Sequence, residues 1–62
     1  MQTQTKRFEV TSESRYGAIL ETFYYDNYDE AEWMAFKIKK NGYTSSIYVD
    51  DACVLILDPE KP

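Results

Sequence analysis

The chain has 62 residues, with 11 Asp and Glu against 7 Lys and Arg for a net charge of -4, no histidine, and one cysteine, Cys53. That length fits a single small domain of thin stability. One cysteine excludes an internal disulfide, and the missing histidine excludes imidazole catalysis and the common zinc sites. No apolar run approaches the ~20 residues of a membrane helix, and the first ten residues hold no apolar core of a signal peptide. A cytoplasmic protein is expected.

Residues 1–5 carry no pattern and are expected to fray, as are residues 58–62 at the other end of a single 1–62 domain. From Lys6 to Thr11 polar and apolar residues alternate, with Phe8 and Val10 on one side and Arg7, Glu9 and Thr11 on the other. That is the period of a half-buried strand. Ser12, Glu13, Ser14, Arg15 and Gly17 read as a turn. Ala18 to Tyr25 is dense in strand-forming residues and completes a hairpin.

The next segment is helical. Asn27 is an N-cap candidate, and Glu30 stands three residues on, as in a capping box. Asp29, Glu30 and Glu32 suit the positive end of the helix dipole; Lys37, Lys39 and Lys40 suit the negative end. Ala31, Met34, Ala35 and Ile38 form one apolar stripe. Asn41-Gly42 supplies a stop, with Gly42 at the left-handed position, so the helix is predicted over residues 28–40. Tyr43 to Val49 alternates again, Asp50-Asp51 makes a tight turn, and Ala52 to Leu57 is a continuous apolar strand stopped by Pro59.

The predicted class is α+β: a ββαββ unit whose four strands form an antiparallel sheet in the order 4-3-1-2, with the helix on one face. The competing arrangement is 1-2-3-4 with a parallel central pair; antiparallel sheets are the easier to build in short chains. Phe8, Val10, Ala31, Ala35, Ile38, Ile47, Val49 and Leu55 are the expected core. Cys53, inside the last apolar strand, is expected to be a small core hydrophobe.

Three surfaces are left over. Trp33 and Phe36 fall about 150° around the helix from the centre of the apolar stripe, so they cannot face the sheet. Trp33 stands four residues before Lys37, and Phe36 four before Lys40, which lets the lysine stems lie over the rings. Aromatics in such a position suit a binding hot spot. The second surface is the bare sheet face and its edges, where strands 2 and 4 are apolar on both sides. Such a surface suits pairing with a partner strand or dimerisation through an edge or the open face, and a small homodimeric regulatory domain is the alternative function. The third is an acidic pole, where Asp26, Asp29, Glu30, Asp50 and Asp51 gather beside Tyr25 and Tyr28 and would dock on a basic surface.

Chemistry is sparse. Gly17 and Gly42 are isolated, so no phosphate-binding loop exists. Asp50-Asp51 and Asp26 with Asp29 lack the alternate spacing and glycine of a calcium loop. No cofactor, metal site or catalytic residue is expected, and neither is enzyme activity. Tyr48, on the polar face of the third strand, could stack a base. The run Lys6-Arg7-Phe8-Glu9-Val10 nevertheless lacks the glycines and paired aromatics of an RNA-recognition strand, and the net charge opposes phosphate. Nucleic acid is therefore a disfavoured partner.

The stretch Asp29-Glu30-Ala31-Glu32, with Ala35, Ile38 and Asn41-Gly42-Tyr43, resembles the helix-to-strand unit of SPOR domains over about 15 residues. The first strand lacks that family's Gly-Ser-Phe signature, and peptidoglycan binding is not carried over. In size, charge and element order the whole chain is similar to small acidic inhibitors encoded by phages and mobile elements, anti-CRISPR proteins among them. That likeness implies a non-enzymatic module that binds a larger host protein and blocks its nucleic-acid or partner site. The residues expected to make that contact are Trp33, Phe36, Tyr25, Tyr28, Tyr48, Asp26, Asp29, Asp50 and Asp51.

Overall fold

A computed structural model of the chain describes residues 8–59. The expectations for Lys6, Arg7 and the outermost ends lie outside the described residues. Five elements follow in order: β1 (Phe8–Glu13), β2 (Ile19–Tyr25), α1 (Tyr28–Lys40), β3 (Thr44–Val49) and β4 (Ala52–Leu57). The strands form one sheet in the order β2-β1-β3-β4, every neighbouring pair antiparallel. This is the 4-3-1-2 arrangement, and α1 lies across one face.

Local chemistry explains each junction. The β1–β2 loop turns at Arg15–Tyr16–Gly17. Gly17 N–H donates to Ser14 O and Ser14 N–H to Ala18 O. Gly17 has φ +89, the left-handed position of a three-residue hairpin loop. The Ser14 hydroxyl braces the loop by accepting from Tyr16 and Ala18 N–H, each at 3.2 Å. The β3–β4 hairpin uses two left-handed residues, Asp50 (φ 52) and Asp51 (φ 70), as a two-residue primed turn requires. Aspartate tolerates that region better than most side chains.

The helix begins where Asn27 Oδ1 accepts from Glu30 N–H at 3.3 Å. It ends with Gly42 N–H bonded to Lys39 O and Tyr43 N–H to Ile38 O, while Gly42 sits at φ +94. Together these bonds make a Schellman stop. The buried apolar core is Val10, Ala31, Ala35, Ile38 and Ile47. Phe8, Phe23, Tyr25, Met34, Leu55 and Leu57 pack against it half-buried. Val49, also expected in the core, is half-buried too.

Several boundaries and one residue differ from expectation. Ser12 and Glu13 continue β1 instead of turning, paired with Ser45 and Thr44 on β3. Hydrogen bonding to a neighbour on each side overrides their turn preference. Ala18 and Tyr43 fall just outside β2 and β3. Both edge strands contain a bulge. Ser12 and Glu13 pair with Glu21 and Ile19, leaving Leu20 as the extra residue. Ile47 and Tyr48 pair with Leu55 and Cys53, leaving Val54 extra. The second bulge corrects the reading of Cys53. One inserted residue reverses the facing, so Leu55 and Leu57 turn toward the helix while Cys53 sits opposite Tyr48 on the other face, exposed.

Candidate protein-contact surface

The phase of α1 decides what it presents. Ala31, Ala35 and Ile38 are buried and Met34 is half-buried, so the stripe expected to face the sheet does so. Trp33 and Phe36 project from the opposite side at 63% and 44% exposure. The ammonium of Lys37 lies 5.1 Å from the Trp33 ring centroid, a cation–π contact between residues four apart. It covers part of one ring and leaves the rest open.

Trp33 does not stand alone. With Tyr25, Asp29 and Glu30 it lines a shallow, open depression of about 360 Å³. Three elements of sequence build it. Tyr25 is the last residue of β2 and pairs with Phe8. The Asn27 cap starts the helix at once, which sets Asp29 and Glu30 in its first turn. Trp33 follows one turn later on the same side. Tyr28 anchors this corner, its ring edge-to-face with Phe8 at 5.6 Å and 69°. The floor and walls therefore combine two aromatic rings with two solvent-facing carboxylates.

The acidic pole exists, in two parts. Tyr25 and Val49 both pair with Phe8, from opposite sides, so the end of β2 and the Asp50-Asp51 turn share one end of the sheet. They are two strand spacings apart, about 10 Å. Asp26, Asp29, Asp50 and Asp51 are all exposed. Only Asp29, with Glu30, joins the aromatic depression. Among the described residues no group of three or more Cys, Asp or Glu is placed to hold a metal ion.

Tyr48 is elsewhere. Ile47 faces the helix, so Tyr48 faces away, half-buried between Glu9 and Cys53 on the bare sheet face. Tyr24 pairs with Glu9 on that same face and is exposed. Sequence reasoning did not single it out; the alternation from Tyr25 was the available signal. Exposed Ile19 and Leu20 on β2, and Val54 and Ile56 on β4, add apolar surface at the two edges. The middle of the bare face is different, with Thr11 and Ser46 paired with each other and buried.

No family model, curated protein or solved structure matches the chain. Among the described residues no helix is long and apolar enough to cross a membrane. What the fold and the surface define is a small antiparallel α+β unit with an aromatic and acidic patch on the outer side of its one helix.

Proposed function

We propose that the chain is a non-enzymatic protein-binding module that uses the outer face of α1 to occupy a basic surface on a larger protein. The observation that carries this reading is the exposure of Trp33 at 63% beside Asp29, Glu30 and Tyr25. A large ring next to solvent-facing carboxylates offers an arginine or lysine both a π face and a charge partner. The bulges at Leu20 and Val54 favour the helix over the sheet edges, because a bulged edge is a poor template for adding a strand. A partner that uses its basic surface to hold nucleic acid or another protein is blocked by such occupancy. That is the inhibitory role implied by the likeness to phage-encoded inhibitors.

The test is a partner isolated with this chain as bait and then titrated against variants. Trp33→Ala is expected to weaken binding by about 2 kcal/mol or more, as an anchor residue does. Association is expected to slow with salt, since exposed charges are screened within ~10 Å at 0.1 M. Affinity unchanged by Trp33→Ala would place the contact elsewhere.

A further inference from the structure

The same helix face is self-complementary, and we infer that it pairs two copies of this chain, helix against antiparallel helix. The inference rests on the proposed contact face and names a second occupant of it: another copy, which competes with the basic partner. The observation is the order of residues along the exposed side. Asp29 and Glu30 come first, Trp33 and Phe36 hold the middle, and Lys37 and Lys40 come last, all six solvent-exposed. Asp29 stands as far before the midpoint of the two rings as Lys40 stands after it. At ~100° per residue, Asp29 and Lys40 lie about 40° and 20° to one side of Trp33, and Glu30 and Lys37 about 60° and 40° to the other.

A two-fold axis between antiparallel helices brings together residues of equal sideways offset and opposite height. Centred between Trp33 and Phe36, it sets Asp29 against the second copy's Lys40 and Glu30 near the second copy's Lys37. The four rings then meet in the middle. Every charge pair made this way is attractive, and each is made twice. The helix dipole accounts for acids at the start of α1 and lysines at its end. It does not call for two large rings between them on the exposed side. The copies carry a net charge of -4 each and repel at long range, so an approach that sets lysines against carboxylates is favoured over one through the acidic pole. The Lys37 contact on Trp33 at 5.1 Å is a within-chain substitute that a carboxylate of the second copy releases.

One helix pair buries less than the ~1,200 Å² of a standard stable interface, so a weak, concentration-dependent dimer is expected. The experiment is sedimentation velocity over about 10 µM to 1 mM, with far-UV circular dichroism on every variant. The wild-type chain should shift from monomer to dimer across that range, and less so at high salt. Asp29→Lys with Glu30→Lys should stay monomeric, as should Lys37→Glu with Lys40→Glu, while an equal mixture of the two should dimerise again. These charges also support the helix ends, so Phe36→Lys, at mid-helix, supplies a reading free of that effect: it too should be monomeric. A wild-type chain that stays monomeric throughout overturns the inference, as does a dimer that persists in Phe36→Lys. Neither result touches the proposed function, which fails separately if partner affinity ignores Trp33.

Discussion

The Ser45 hydroxyl donates to the Ala35 carbonyl at 2.8 Å, a buried bond that ties β3 to the inner side of α1. Ser45 is itself fully buried, so this pairing satisfies a polar group that would otherwise be costly to bury. It also fixes the rotation of the helix. With Ala35 held on β3, Trp33, two residues earlier, must turn about 200° away. The exposed aromatic face follows from a core contact.

Ile38→Ala should be close to unfolding. Ile38 closes the buried cluster with Val10 and Ile47, and truncating such a side chain costs about 2–5 kcal/mol. A domain this size has little more than that to lose. Thermal melts by circular dichroism check it; a melting point within a degree or two of the parent would mean that Ile38 is not a core residue.

Gly42→Ala tests the helix stop. A Cβ on Gly42 meets nothing within 4 Å, so the whole cost comes from holding alanine at φ +94. About 1–2 kcal/mol is expected from urea unfolding, and Gly42→Asn should recover part of it. No loss in Gly42→Ala would contradict the left-handed conformation.

Thr11→Val should stabilise. Thr11 is 2% exposed and its Oγ1 has no hydrogen-bond partner among the described residues. Replacing an unpaired buried hydroxyl with a methyl of the same shape removes a desolvation cost of about 1–3 kcal/mol. Equilibrium unfolding should show a gain of about 1 kcal/mol. A loss of that size would mean that the hydroxyl is bonded in solution.

Cys53 should react in the folded state. Its thiol is exposed on β4, in a weak 3.6 Å contact with Leu55 O. Alkylation of native protein should approach the rate for unfolded chain, and Cys53→Ser should change stability by no more than about 0.5 kcal/mol. Strong protection of the native thiol would restore the core reading that the apolar run Ala52–Leu57 suggested.

Much of this architecture could be read from residue order. Asn27 and Asn41-Gly42 bracket α1, and those caps act locally, so the sequence marks the helix at both ends. For strand order, residue order left 4-3-1-2 and 1-2-3-4 both open, and the ease of building antiparallel sheets in short chains pointed to the arrangement found. The bulges at Leu20 and Val54 were not legible, because apolar residues fit either face and only pairing with the neighbouring strand reveals the extra one. That is why Cys53 was misplaced. The extension of β1 through Ser12 and Glu13 was hidden for a related reason, since ladder bonds to β3 outweigh local preference. The candidate surface was legible in part. The phase of Trp33 and Phe36 follows from helix geometry, whereas the meeting of Tyr25 with Asp29, Glu30 and Trp33 depends on how β2 runs into the helix.

The folded chain leaves Trp33 facing water, and the single tryptophan makes that directly measurable. The measurement is acrylamide quenching of native protein at sub-micromolar concentration, where copies are apart; a neutral quencher avoids repulsion from Asp29 and Glu30. Red-shifted emission and a quenching rate near that of urea-unfolded chain are expected. Blue-shifted emission with slow quenching would show the ring buried by the chain's own residues, which contradicts both the helix phase and the contact face built on it.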